Sequence, residues 1–100
     1  MGWEESRVRD NSDRKRFELD LGQKTAYVDY IINAKGVIYL THTEVPSAWE
    51  GQGVASDMVH QVLQEVDRRG LRLVPLCPYV ASYLRRHAEW KRLLAEGFNV

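Results

Sequence analysis

The sequence has one cysteine, no net charge and no long apolar run, and each of these features excludes a class of protein. A single thiol, Cys77, cannot form an intramolecular disulfide or build a cysteine zinc site. No apolar stretch approaches the roughly 18 residues that a bilayer span needs. The N-terminus also has no apolar signal segment. We therefore expect a cytoplasmic protein with no membrane partner and no bound metal.

The net charge of zero hides an uneven distribution along the chain. Acidic residues outnumber basic residues by six between positions 17 and 67, and basic residues outnumber acidic residues by six between positions 68 and 92. This asymmetry suits a small polyanionic ligand held near the C-terminal half, although a solvated basic face gives the same pattern. Overall neutrality argues against a duplex nucleic acid as the main partner, and we do not expect one, although a local basic patch is sufficient for such binding.

With 100 residues the chain is long enough for one domain with one modest core. Hydrophobic residues make up 44% and charged residues 28%, which is typical of a globular domain and excludes a disordered chain or a coiled coil. The first sixteen residues are rich in charge and poor in apolar groups. We therefore predict a flexible tail over residues 1–16 and a single domain over residues 17–100. For the oligomeric state we expect a monomer or weak homodimer.

Apolar periodicity predicts the order of the elements. Alternation over residues 17–21, followed by β-branched and aromatic residues over 25–32 and 37–43, predicts three strands in an antiparallel meander. An apolar stripe at helical spacing from Val54 to Val66 predicts a helix of about four turns. A short strand over 71–76 and a helical segment over 80–86 follow. The order β-β-β-α-β-α predicts an α+β fold, with the meander followed by a parallel β-α-β unit.

Two glycines, Gly51 and Gly53, lie between the third predicted strand and the long helix. Glycine lets the backbone approach a ligand closely, and the first amides of a helix attract anions. A glycine turn without a ligand gives the same sequence pattern. The stretch is neither a Walker loop, which needs a Lys-Ser/Thr pair, nor the dinucleotide fingerprint, which needs a third glycine. A different kind of phosphate-binding junction is therefore the hypothesis.

This junction resembles the acetyl-CoA motif of the GNAT acetyltransferase superfamily, Gln/Arg-x-x-Gly-x-Gly/Ala. Gly53 and Ala55 match the motif, whereas Glu50 stands where the family has Gln or Arg. Downstream, a Cys-Pro-Tyr stretch and a His-Ala-Glu stretch are similar to the signature of a minimal GNAT-like branch, in which Cys-Pro-Phe/Tyr and His-Pro-Glu recur. The resemblance covers about residues 17–98. It implies a GNAT-like fold that is truncated, because the first strand and helices of the superfamily are missing.

The resemblance implies an acetyl-CoA-dependent N-acetyltransferase that moves an acetyl group to an unidentified amine of a small molecule or a protein. The backbone amides of the glycine loop would hold the CoA pyrophosphate, and pantetheine would lie between the two parallel strands. The implied cofactor-binding residues are Glu44, Val45, Gly51, Gln52, Gly53, Val54, Ala55, Pro78 and Tyr83. The alternative is a non-catalytic CoA-binding or protein-interaction module with the same fold, because the acceptor half of the site is missing.

Two residues are candidates for catalysis. Cys77 is expected near the thioester, as a nucleophile or as a wall of the slot, but a free cysteine is also among the most commonly buried residue types. Tyr83 matches the tyrosine that protonates the departing thiolate in many members of the superfamily. A core tyrosine with its hydroxyl at the surface explains the same residue equally well.

Other polar and aromatic residues carry weaker signals. By simple alternation, His42 is expected on the face of Ile38 and Leu40, where it would be a base for the acceptor amine or a half-buried structural histidine. His60 is expected on the solvated side of the long helix. Trp49 falls inside the predicted cofactor loop and is the one tryptophan that we expect near the ligand.

Overall fold

The computed structural model describes residues 2–100, which form one five-stranded sheet with two α-helices. The strands are β1 (Arg9–Asn11), β2 (Arg16–Asp20), β3 (Thr25–Ile32), β4 (Val37–Glu44) and β5 (Arg72–Pro75). They lie side by side in the sheet in the same order as in the sequence. The first four strands are antiparallel, and β4 and β5 are parallel. Helix α1 (Val54–Arg68) connects β4 to β5, and α2 (Pro78–Arg86) follows β5. The predicted α+β class, meander and parallel β-α-β unit are confirmed.

The hydrophobic core lies between one face of the sheet and both helices. Alternate residues of β3 are buried, which is the period-2 pattern that the sequence predicts. In β2 the apolar Phe17 and Leu19 are buried, and Glu18 between them is buried as well. Both helices contact β4 and β5 and also contact each other, so they cover the same face. Each fully buried aliphatic or aromatic side chain contributes roughly 1.5–3 kcal/mol relative to exposure. The largest of these side chains include Phe17, Leu19, Ile38, Leu40, Met58, Leu63, Leu73 and Leu84.

The sheet begins at Arg9, inside the segment that we predicted as a flexible tail, and therefore has five strands rather than four. All residues of β1 are polar, and Asp and Asn disfavour strands, so no sequence pattern indicates it. Side chains hold it instead: the buried carboxylate of Glu18 in β2 bonds Arg9 at 3.0 Å and Asn11 at 3.1 Å. Burial acts to raise the pKa of Glu18, but hydrogen bonds from Arg16 and Asn11 outweigh it and lower that pKa.

A β-bulge in β4 reverses the alternation of its side chains. Asp29 of β3 pairs with His42, whereas the next residue, Tyr30, pairs with Leu40, so Thr41 is the extra residue. A bulge of one residue moves every following side chain to the opposite face. Thr43 consequently lies on the core face, where its partner in β3 is Val28, which is fully buried.

The same bulge overturns the prediction for His42. This residue was expected to share the face of Ile38 and Leu40, but its side chain lies on the uncovered face of the sheet and is 55% exposed. Its Nε2 atom lies 2.9 Å from Oε1 of Glu44, which lies two residues further along the same face. Neither side chain points toward the helices.

Candidate functional site

A cavity of about 360 Å³ lies where β4 ends and α1 begins. The strand end, the connecting loop, the first turn of α1 and one residue of α2 form its walls. The lining residues are Thr43, Val45, Trp49, Glu50, Gly51, Gly53, Val54, Ala55, Ser56 and Tyr79. This is the junction at which the sequence predicts a phosphate site.

The N-terminus of α1 has no side-chain cap. Its N-cap residue is Gly53, and the first backbone bond into the helix runs from the amide of Asp57 to the carbonyl of Gly53, at 3.0 Å. The amides of Val54, Ala55 and Ser56 precede that bond and have no intrahelical acceptor. Together with the positive end of the helix dipole, they make the walls of the cavity favourable for an anion.

The two glycines of the loop keep the approach to these amides free of side chains. Gly51 and Gly53 have φ values of +82° and +88°, a region that favours glycine. A Cβ atom at either position would meet no protein atom within 4 Å, so it would project into open space. The backbone therefore leaves room for a ligand that comes as close to it as a pyrophosphate does.

The cavity has no basic side chain of its own among the lining residues. Glu50 lines it with an exposed carboxylate, at the position where the GNAT motif has Gln or Arg. At the α2 side, the guanidinium carbon of Arg86 lies 5.9 Å from the ring centre of Tyr79. Attraction for an anion inside the cavity must therefore come mainly from the backbone amides.

Beside the cavity, β4 extends further than its parallel neighbour. Pairing with β5 ends at Leu40 opposite Pro75, and the amide of Cys77 then donates to the carbonyl of Leu40 at 2.8 Å. Residues 41–44 of β4 continue without a partner on the β5 side among residues 2–100. Unpaired backbone of this kind can hydrogen-bond an extended amide ligand such as pantetheine.

Cys77 lies behind the cavity wall. It occupies the N-cap position of α2 and is only 4% exposed. Its Sγ atom lies 3.2 Å from Oγ1 of Thr43, which does line the cavity. The thiol is thus one side chain away from the cavity, and the bulge at Thr41 is the reason that the two residues meet.

The two tyrosines of α2 have different surroundings. Tyr79 lines the cavity, whereas Tyr83, one turn later, is only 3% exposed and lies between the two helices. The hydroxyl of Tyr83 lies 3.3 Å from Nδ1 of His60, and its ring stacks on His87 with centroids 4.2 Å apart. Burial, with the charge of Glu89 added, raises the pKa of Tyr83.

These contacts correct the expectation for His60. We placed it on the solvated side of the helix, but it contacts Tyr83 and meets the ring of Trp90 edge-on, with centroids 5.6 Å apart. The apolar stripe of α1 predicts only the side that faces the sheet. It contains no information about α2, which packs against a neighbouring side of the same helix.

The structure brings half of the sequence-predicted site residues to the cavity. Of the implied cofactor-binding residues, the cavity wall contains Val45, Gly51, Gly53, Val54 and Ala55. The lining does not include Glu44, Gln52, Pro78, Tyr83 or Cys77. Sequence reasoning missed Thr43, Ser56 and Tyr79, although Trp49 is present as expected. Thr43 needs the bulge to be found, but Tyr79 lies in the Cys-Pro-Tyr stretch and could have been inferred from it.

Within residues 2–100, no three His, Cys, Asp or Glu side chains come together in a way that could hold a metal ion. In the same residues, neither helix has the length and apolar character required to cross a bilayer.

Comparison with known proteins agrees with this geometry. The family profile described as GCN5-related N-acetyl-transferase matches residues 16–93. The chain therefore belongs to the GCN5-related N-acetyltransferase family. It is also 29% identical over 83 residues to the mouse protein called Protein NATD1, covering 81% of this chain and 76% of that protein. The Xenopus tropicalis protein of the same name is 30% identical over 86 residues, covering 82% of this chain and 79% of its own.

Proposed function

We propose that this protein is an acetyl-CoA-dependent N-acetyltransferase whose acceptor is an amine of a small molecule or a protein. The observation that carries the proposal is the uncapped N-terminus of α1, which opens into a cavity beside unpaired backbone of β4. Membership of the GCN5-related family supplies the reaction class. A cytoplasmic location stays a prediction.

In this proposal, each part of the junction contacts a different part of the cofactor. The amides of residues 51–55 bind the pyrophosphate, as expected at an uncapped helix start. The end of β4 around Glu44 and Val45 hydrogen-bonds pantetheine through its backbone. Gln52 and Pro78 flank these contacts from the loop and from the start of α2. When bound, acetyl-CoA supplies the activated thioester.

Proton transfer falls to the tyrosines of α2. Direct transfer needs an unprotonated amine, a donor for the thioester carbonyl and an acid for the leaving thiolate. We assign the acid role to Tyr83, because the resemblance places the tyrosine there and a tyrosine phenol is protonated at neutral pH. Tyr79 is the second candidate, since it lines the cavity directly.

Two roles are open to Cys77 in this scheme. It either forms part of the slot wall behind Thr43 or accepts the acetyl group before the amine does. In the second case the thiolate attacks the thioester carbonyl, the CoA thiolate leaves, and the amine then displaces the cysteine sulfur. Intact mass after incubation with acetyl-CoA separates the roles: a protein carrying one acetyl group, absent in Cys77→Ala, supports the acyl-enzyme.

The competing function is a module that binds CoA, or a partner protein, without turnover. It is favoured by the lining of the cavity, which contains no histidine and whose only carboxylate, Glu50, is exposed. An enzyme needs a base for the acceptor amine or a supply of unprotonated amine. A binding module needs neither.

Calorimetric titration with acetyl-CoA, CoA and ATP tests the proposal. We expect micromolar binding of acetyl-CoA and CoA and much weaker binding of ATP, which has no pantetheine. Release of free thiol above the buffer rate, in the presence of a panel of primary amines, would then distinguish an enzyme from a module. Absence of binding to CoA and acetyl-CoA would contradict the proposed function.

A further inference from the structure

Residues 2–8, which we call the N-terminal strap, lie outside the stretch matched by the family profile. The strap does not extend away from the domain. Its one-turn 3-10 helix, Trp3–Glu5, contacts α1, and the ring of Trp3 packs against the edge of the core. The indole Nε1–H of Trp3 donates to Oε1 of Gln52 at 3.1 Å. Gln52 is the residue between the two glycines of the phosphate loop.

A second anchor fastens the strap to α1 through a buried amide. Gln61 is buried, with only 6% of its surface exposed. Its Oε1 accepts from the amide of Val8 at 2.8 Å, and its Nε2 donates to the carbonyl of Ser6 at 3.3 Å. The same Nε2 donates to Asp57, in the first turn of α1, at 2.9 Å. A buried amide that binds both segments fixes the strap against the helix start.

The loop has few other restraints. Gly51 and Gly53 carry no side chain that could pack, and glycine has the largest conformational freedom in the chain. Only Gln52 lies between them. Apart from its bond with Trp3, the side chain of Gln52 donates one long hydrogen bond, from Nε2 to the carbonyl of Ala48 at 3.4 Å. The indole of Trp3 therefore restrains Gln52, the one side chain through which residues 51–53 can be fixed.

We propose that the N-terminal strap orders the phosphate loop for the cofactor, with Trp3 as a positioning residue that acts through Gln52. The inference rests on the proposed function in so far as the ligand is CoA. Because the loop must adopt one conformation to present its amides, an ordered loop binds with a smaller entropic cost than a mobile one. Trp3 itself does not touch the cofactor in this proposal.

The test compares Trp3→Phe, which keeps the ring packing but removes the N–H, with Gln52→Ala and with the double variant. Loss of one neutral hydrogen bond predicts about three- to tenfold weaker CoA binding by calorimetry. Backbone order parameters of residues 51–53 in the free protein should fall in both single variants. The double variant should be no worse than either single variant, because both remove the same contact.

Trp90→Phe is the matched control, because it removes the indole N–H of a residue that does not line the cavity and that meets His60, in the middle of α1, rather than Gln52. It should keep the wild-type CoA affinity and the wild-type order parameters of residues 51–53. Equal melting temperatures of Trp3→Phe and wild type would show that the effect on affinity is not general destabilisation.

The outcomes separate this inference from the proposed function. If the wild-type protein does not bind CoA, the proposed function fails first. If the wild type binds CoA and Trp3→Phe binds equally well, the positioning role is overturned. Unchanged order parameters of residues 51–53 in Trp3→Phe overturn it as well, whatever the affinity.

Discussion

The two ends of α1 contrast in how their polar groups are satisfied. At the N-terminal end, Gly53 offers no side-chain cap, and the first amides face the cavity. At the C-terminal end, the carboxylate of Glu65 accepts from both Arg68 and Arg69. Arg69 also reaches Asp10 of β1 at 3.0 Å.

A further ion pair completes the C-terminal end. Arg92 donates two hydrogen bonds to the carboxylate of Asp67, at 3.0 and 2.8 Å. Basic side chains are favourable at this end of a helix because of the dipole. In the function that we propose, this contrast is a division of labour: the C-terminal end ties the helix to its neighbours, whereas the N-terminal end keeps its hydrogen-bonding capacity for a ligand.

Gly53→Val should have the largest effect, on cofactor binding. The β-branched side chain would project into the open space from which a pyrophosphate approaches, and losing two or more charge-assisted hydrogen bonds weakens binding by about 100-fold or more. Calorimetry with CoA measures the change. The strained backbone costs about 1–2 kcal/mol of stability in addition.

Gly97→Val is the control for that backbone strain. Gly97 has a φ of +87°, close to that of Gly53, and a Cβ there also meets no protein atom within 4 Å. It does not line the cavity. We expect similar destabilisation and unchanged CoA affinity. If both valine variants bind CoA as tightly as the wild type does, the pyrophosphate does not bind at the N-terminal end of α1.

Tyr83→Phe should lower acetyl transfer while leaving CoA binding nearly unchanged. Loss of a general acid costs about 100-fold or more in the chemical step. Single-turnover transfer to an accepted amine measures that step. Tyr79→Phe provides the comparison, because it removes the hydroxyl of the residue that lines the cavity. A large loss in Tyr79→Phe with none in Tyr83→Phe would move the acid role to Tyr79.

Glu65→Gln should lower stability without affecting the cofactor site. Hydrogen bonds from Arg68, with further help from Arg69, lower the pKa of Glu65 to about 2 despite its partial burial. A lowered pKa stabilises the fold above the ordinary carboxyl range, and that contribution is lost as the pH falls from about 4.5 to about 2. At neutral pH we expect a loss of about 1–2 kcal/mol, since solvent screens part of the interaction.

Urea unfolding at a series of pH values measures this difference. The gap between wild type and Glu65→Gln should be largest near neutral pH and close towards pH 2. A gap that is independent of pH would mean that packing, rather than the charge of Glu65, is responsible. CoA affinity at neutral pH should be the same in both proteins.

Cys77→Ala should have the smallest effect on stability and none on CoA affinity. Removing one buried sulfur that contacts Thr43 leaves a small cavity and costs about 1 kcal/mol. Thermal unfolding and calorimetry measure the two effects. A large loss of CoA binding would place the thiol in the cofactor site rather than behind its wall.

The sequence predicts those parts of the fold that depend on repeated local patterns. The alternation through Phe17 and Leu19 identifies the buried face of β2, and the apolar stripe identifies the sheet-facing side of α1. The glycine pair predicts the loop because positive φ values require glycine at these positions. These features need no knowledge of distant contacts.

The parts that the sequence does not predict depend on contacts between distant residues. The bulge at Thr41 arises from pairing with β3, and it decides that Thr43 rather than His42 faces the cavity side. Strand β1 is held by side chains on Glu18 rather than by an apolar pattern. The bond from Trp3 to Gln52 joins residues 49 positions apart and leaves no local trace.

Titration of isotopically labelled protein with acetyl-CoA, followed by backbone amide chemical shifts, tests the division of labour most directly. We predict saturable shifts at residues 51–56 and at Val45, with Glu65 and Arg69 at the other end of α1 unchanged. Shifts concentrated at the C-terminal end of α1, or no shifts at all, would contradict the assignment of the N-terminal end as the cofactor site.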